Sequence, residues 1–163
     1  MSSELWTVPL PTEESVVVLA GQFAPCLDTP LVINLRGDLG AGKTTFARAL
    51  IHALGYEGRV KSPSYGLLES YSINELNVLH LDLYRIEDAS ELDYLAIRDL
   101  FDINTVLLIE WPEKGAGFLP LEDVVILFDE AENQRFAEIF TSTDKGRKLL
   151  ENVINSPAKP FLE

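Results

Sequence analysis

The stretch Gly37-Asp38-Leu39-Gly40-Ala41-Gly42-Lys43-Thr44 has the spacing G-x-x-x-x-G-K-[ST] and lies between an apolar run, Leu31 to Leu35, and a helical pattern beginning near Lys43. A strand, a glycine-rich turn and a helix in that order constrain the fold more than any other feature of the chain. The turn lets successive backbone N–H groups face phosphate oxygens, and the helix adds the positive end of its dipole. In such a loop Lys43 reaches the β- and γ-phosphates and the Thr44 hydroxyl ligates Mg²⁺. The candidate nucleotide-binding residues are therefore Gly37, Asp38, Leu39, Gly40, Ala41, Gly42, Lys43, Thr44 and Thr45.

At 163 residues the chain is expected to form a single P-loop NTPase domain over residues 1–155, followed by a C-terminal tail, 156–163. Charge matters for partners: 13 basic against 26 acidic residues, net −13, oppose a direct grip on a polyphosphate backbone and favour basic protein surfaces. The single cysteine, Cys26, allows no internal disulfide and lies in a Pro25/Pro30 loop without a neighbouring base, so it reads as an incidental thiol. The chain opens without a basic-then-apolar leader and has no apolar run of the roughly 18 residues that a membrane helix needs. The expected place is the cytoplasm, without membrane contact.

In chain order, Ser3 to Val8 reads as a short strand closed by Pro9 and Pro11, and Thr12 caps a helix carrying Val16, Leu19, Ala20 and Phe23 on one stripe. The helix from Lys43 repeats the pattern with Phe46, Ala47, Leu50, Ile51 and Leu54, and Gly55 stops it. Tyr65 to Ser72 and Asn77 to Asp82 predict an antiparallel hairpin turning at Asn74-Glu75, and Glu91 to Phe101 a helix. Thr105 to Glu110 is a second uninterrupted apolar run; Val124 to Phe128 and Arg135 to Thr141 suggest a closing hairpin, and Thr143-Asp144 starts a last helix to about Ile154 with Leu149, Leu150 and Val153 as its stripe. Runs apolar on both faces fit a covered parallel sheet. The expected fold is α/β: a P-loop NTPase three-layer sandwich whose parallel central sheet carries antiparallel flanking strands.

Asp82 and Glu110 each end an apolar run. If those strands run parallel to Leu31–Leu35, both acids stand at the carboxyl edge from which the loop emerges, where ligands of open α/β sheets bind. Four apolar residues followed by an acid is what a Walker B strand needs, and Val106 to Glu110 fits better than Val78 to Asp82, which His80 interrupts. Glu110 is therefore the candidate metal ligand, and Asp82 the candidate for polarising the attacking water or for an outer metal role. Lys43, Asp82 and Glu110 are the catalytic candidates; Thr44, Glu110 and Asp82 are the metal candidates. His80 is either a structural histidine or an orienter of Asp82, two residues on along the same face. In the loop 61–65, Ser64 is a candidate switch hydroxyl, and Arg59 and Arg85 are candidate charge stabilisers or ordinary ion-pair partners.

These segments together resemble one family. The P-loop followed by Thr45-Phe46, then Ser62-Pro63-Ser64-Tyr65, His80-Leu81-Asp82-Leu83-Tyr84-Arg85 and Ile109-Glu110-Trp111-Pro112-Glu113, in this order, resemble the TsaE (YjeE) family of small bacterial P-loop ATPases required for threonylcarbamoyladenosine (t6A) modification of tRNA. The resemblance implies ATP as substrate, Mg²⁺ as cofactor, Lys43, Thr44 and Glu110 at the nucleotide and metal positions, and Asp82 and Trp111 at positions needed for activity. Ser64, Arg85 and Trp111 become candidates for switching or partner coupling. It also implies a TsaB/TsaD-type complex as partner, tRNA met only through that complex, and hydrolysis that resets the complex between cycles. Ser64 stands where the family usually has Thr, Tyr65-Gly66 where it has Phe-Thr, and Ala96 and Leu100 where Gly and Tyr are frequent. The residues alone leave two other readings open, a small-molecule or nucleoside kinase and an ATP-gated binding module. A GTPase is disfavoured because no Asn-Lys-x-Asp or Asp-x-x-Gly occurs, and an ABC-type ATPase because its Ser-Gly-Gly signature is missing.

Overall fold

The computed structural model describes residues 5–63, 67–95 and 97–156. In chain order its elements are β1 (Leu5–Pro9), α1 (Glu13–Phe23), β2 (Leu31–Arg36), α2 (Lys43–Ala53), β3 (Leu68–Ile73), β4 (Leu76–Asp82), α3 (Ile97–Leu100), β5 (Thr105–Glu110), β6 (Val124–Ala131), β7 (Gln134–Thr141) and α4 (Asp144–Ile154). The strands form one seven-stranded sheet in the order β1-β7-β6-β2-β5-β4-β3. β2, the P-loop strand, pairs in parallel with β5 on one side and β6 on the other, and β5 pairs in parallel with β4. β3, β7 and β1 add antiparallel flanks.

Side-chain alternation divides the core into two. Ile33, Leu35, Val78, Val106 and Leu108 face α1, α2 and α4, whose stripes bury Leu19, Phe23, Phe46, Leu50, Leu149 and Val153. Val32, Leu79, Leu81, Leu107 and Ile109 face the other way, against Leu83, Ile86, Leu92, Ile97, Phe118 and Leu119. That second face is covered mostly by short 3₁₀ turns over Ala89–Leu95 and Pro112–Gly115 and by the four-residue α3. The continuous helix expected over Glu91 to Phe101 is not formed. Glu91 Oε2 accepts from the backbone N–H groups of Glu87 and Asp88, and Asp88 Oδ1 accepts from Ser90 N–H, local bonds that compete with a helical ladder. The buried positions Leu92 and Ile97 are also five residues apart, a spacing that one helical face does not provide.

The ends of the elements follow local chemistry. Thr12 caps α1, its hydroxyl accepting from Ser15 N–H in a reciprocal capping box, and Thr143 caps α4 through Gly146 N–H. Pro9 closes β1 from inside the strand, which is tolerated because β1 is a sheet edge. Glu132 and Asn133, at φ of 54° and 65°, form the tight turn that joins β6 to β7. From β2 the chain passes over the helical face through α2 towards β3 and β4. From β5 it leaves on the opposite face, through residues 111–123, to reach β6 on the far side of β2. The P-loop thus opens where the connections reverse direction, at the carboxyl ends of the parallel strands.

Candidate functional site

The loop after β2 depends on backbone that side chains would obstruct. Gly37 has φ of 139°, and a Cβ there would lie 2.6 Å from the Phe128 carbonyl oxygen; Gly42 has φ of 127°, and its Cβ would lie 3.2 Å from the Phe128 ring. Phe128 of β6 therefore braces the loop from below and packs at 6.1 Å on Phe46 of α2. The sequence reading missed this role, because the pattern alone did not show that β6 borders β2.

Lys43 is buried and donates to the carbonyls of Gly37 and Asp38, each at 2.6 Å, with its ammonium 4.4 Å from the centre of the Trp111 ring. Burial lowers the Lys43 ammonium below the usual lysine range, against the opposing pull of Glu110 and Asp82. An arriving anion would favour the charged form that burial disfavours.

β4 and β5 are in register with Asp82 opposite Glu110, and both acids project to the α2 face. Glu110 is buried; its Oε1 accepts from the Thr44 hydroxyl at 2.8 Å, and its Oε2 lies 2.7 Å from His80 Nε2. His80 thus bonds Glu110 rather than Asp82, the carboxylate it could orient on spacing alone, beside its reading as a structural histidine. The cause is the parallel register, which sets position 80 of one strand diagonally beside position 110 of its neighbour on the same face. Asp82 accepts from Tyr84 N–H at 3.1 Å. Burial raises its pKa above the ordinary carboxylate range, partly offset by that N–H, with Glu110 adding to the rise.

A cleft of about 410 Å³ brings these groups together. Its lining takes Leu39, Gly40, Gly42, Lys43, Thr44 and Thr45 from the loop and α2, Asp82 and Glu110 from the strand ends, and Tyr84, Arg85, Trp111 and Ser62 from the rim. Arg59 is not among the lining residues. Ser64 lies outside the described residues; Ser62, from the same loop, reaches the cleft. Trp111 holds a left-handed backbone, φ of 59°, uncommon for a bulky side chain and of the kind found at functional sites. Its ring lies 5.1 Å from Tyr84, and Lys114 Nζ lies 5.0 Å from the Tyr84 ring while donating to the Tyr84 carbonyl. Behind the loop, a hollow of about 350 Å³ is shared by Asp38, Leu39, Gly40 and Ala41 with Phe128, Asp129, Glu130 and Arg135.

The donor set beside Thr44 consists of one hydroxyl and two carboxylates, all hard oxygens. Mg²⁺ keeps several waters and takes one or two carboxylates along with substrate phosphates, so these residues fit it. Among the described residues, no helix is long and apolar enough to cross a membrane.

A glycine-rich loop rising from a central parallel strand into a helix, opposite two strand-end acids, defines a P-loop α/β protein of the NTPase fold class. The chain belongs to the TsaE family: residues 10–137 match the family model for threonylcarbamoyl adenosine biosynthesis protein TsaE. It is 38% identical over 157 residues to the tRNA threonylcarbamoyladenosine biosynthesis protein TsaE of Haemophilus influenzae, covering 93% of this chain and 99% of that one. To the protein of the same name in Bacillus subtilis it is 33% identical over 146 residues, 89% of each chain. The crystal structure of Bacillus subtilis YdiB shares the fold, with a TM-score of 0.77 at 23% identity over 95% of this chain and 97% of that one.

Proposed function

We propose that this chain, as a single domain over residues 1–155, is a Mg²⁺-dependent ATP hydrolase that serves threonylcarbamoyl modification of adenosine 37 of tRNA in the cytoplasm, together with a TsaB/TsaD-type complex. The observation that carries the hydrolase reading is the convergence of Lys43, Thr44, Asp82 and Glu110 on one cleft. The names of the relatives support the tRNA step.

In this reading the P-loop N–H groups and the start of α2 cradle the triphosphate, and Lys43 exchanges the carbonyls of Gly37 and Asp38 for β- and γ-phosphate oxygens. Thr44 and Glu110, with Asp82 beside them, would hold Mg²⁺, which offsets the charge of the phosphate oxygens when bound. Asp82, with its proton affinity raised by burial, suits a group that orients the attacking water and accepts its proton as the γ-phosphoryl group leaves ADP. Arg85 is the candidate that would add charge to the transferring group from the rim. The nucleoside would leave the loop towards the hollow beside Phe128, because Leu39 and Gly40 line both spaces. Leu39, well exposed at the loop, and Tyr84 on the rim give the open cleft an apolar lip that a protein partner would cover. A net charge of −13 agrees with tRNA being met through the partners.

The test is multi-turnover t6A formation in a reconstituted mixture with the partner proteins, run with ATP or a non-hydrolysable analogue. We expect sustained modification with ATP, a stall after about one cycle with the analogue, and loss with Lys43→Ala. Full multi-turnover modification with the analogue would contradict the hydrolase reading and favour a nucleotide gate.

A further inference from the structure

The hydrogen bond from His80 to Glu110 has no part in that reaction scheme, yet it is the least expected contact in the core. Apart from the strand-end acids Asp82 and Glu110 and from Glu69 paired with it on β3, the positions around it on the helical face of the sheet are apolar: Val78 on the same strand, Val106 and Leu108 on β5, Ile33 and Leu35 on β2. His80 is fully buried in that stripe, and a leucine would fill the position without placing a polar ring away from water. Its Nε2 reaches Glu110 Oε2 at 2.7 Å, while Nδ1 has no hydrogen-bond partner among the described residues.

That asymmetry decides which nitrogen carries the hydrogen that faces Glu110. A hydrogen on Nδ1 would be a buried donor without an acceptor, and Nε2 would then turn a lone pair towards a carboxylate oxygen, two unfavourable arrangements at once. A hydrogen on Nε2 makes a charge-assisted bond to Glu110 and leaves only the Nδ1 lone pair unused.

We infer that His80 is the positioning residue of Glu110: its Nε2–H pins Oε2 and thereby keeps Oε1 turned towards the Thr44 hydroxyl. A glutamate has three side-chain torsions, and Oε1 can complete a metal site only if they are held. Leu108, facing His80 across the strands, and the apolar stripe around it fix the ring, so the ring fixes the carboxylate. The inference rests on the proposed Mg²⁺–nucleotide reading for its consequence. The Nε2–H bond to Glu110 does not.

Two measurements test it. The first is the ¹⁵N spectrum of the histidine rings in the nucleotide-free full chain, with His52→Gln removing the only other histidine. We expect His80 to carry a proton on Nε2, hydrogen-bonded to Glu110; an Nε2 without a proton, the hydrogen lying on Nδ1 alone, would overturn the assignment. The second is the affinity for ADP in Mg²⁺ and in EDTA for the wild type, His80→Gln and His80→Leu, with unfolding midpoints recorded alongside. Gln can place an amide N–H near the Nε2 position, whereas Leu supplies packing without a donor. His80→Leu should lose roughly 10–100-fold of the Mg²⁺-dependent gain with the EDTA affinity unchanged, and His80→Gln should keep most of that gain. If Leu keeps the gain, or if both variants lose it equally, the positioning role is wrong while the nucleotide reading stands. A wild type without any Mg²⁺-dependent gain overturns that reading and this role with it. Should His80→Leu fail to fold, the ring spectrum and His80→Gln still decide.

Discussion

Two carboxylates, Asp123 and Glu110, stand at opposite ends of the central strands, and each uses both of its oxygens. Asp123, just before β6, accepts from Val32 N–H at 2.9 Å with one oxygen and from the Thr143 hydroxyl at 2.6 Å with the other, while its own N–H bonds the Val32 carbonyl. It ties the start of β6 to β2 and to the cap of α4, and the backbone there is close enough that a Cβ on Gly146 would lie 2.0 Å from the Asp123 carbonyl oxygen. Glu110, at the other edge, is bonded by two side chains, the Thr44 hydroxyl and the His80 ring. A carboxylate bound to the ladder cannot exchange partners without loosening the sheet. One bound to side chains beside a cleft can trade a hydroxyl for an arriving ligand while the sheet stays intact.

The contrast makes separable predictions. Glu110→Ala should show the largest effect: a fall in Mg²⁺-dependent turnover of roughly 10²–10³-fold, comparable to removing one preorganised charge-stabilising group, with the fold retained in circular dichroism. An equal loss of affinity in EDTA and in Mg²⁺ would break the assignment of Glu110 to the metal. Asp123→Ala should do the converse, costing about 2 kcal/mol of stability by leaving the Val32 N–H without its side-chain acceptor, which lowers the unfolding midpoint by roughly 4–8 °C. Its nucleotide affinity should be unchanged below that midpoint.

Asp82 gives the smallest and most specific shift. Burial raises its pKa in the folded chain, so the folded state holds the proton more tightly than the unfolded one. Its ionised form therefore costs stability at pH 7, and the cost fades as pH falls from the raised value through the ordinary carboxylate range near pH 4. Asp82→Asn, which keeps an acceptor for Tyr84 N–H, should raise the metal-free unfolding midpoint at pH 7, with the gain vanishing towards pH 4. A lowered midpoint at pH 7 would mean that Asp82 is a net stabiliser, as Asp123 is, and would dissolve the distinction between the two ends of the sheet.

Much of this arrangement was legible in the residues. The P-loop spacing announced strand, turn and helix, and apolar runs ending in acids announced parallel strands with Asp82 and Glu110 at one edge. Threonines at 12 and 143 marked two helix starts. What the chain did not reveal depends on neighbours distant in sequence: β6 bordering β2, which sets Phe128 under the loop, and β4 bordering β5 in a register that gives His80 to Glu110. Residues 91–101 misled because Asp88 and Glu91 spend their side chains on local backbone, an option that helical composition does not display. The left-handed backbone of Trp111 likewise had no local signal, since proline after it restricts its conformation without dictating that one.

The most direct test is phosphate release from ATP and GTP, with and without Mg²⁺ and with and without the partner proteins, by the wild type and Lys43→Ala. We expect Mg²⁺-dependent release from ATP, faster with the partners and absent in Lys43→Ala. No release in any mixture, or release that Lys43→Ala leaves unchanged, would contradict a hydrolase built on this cleft.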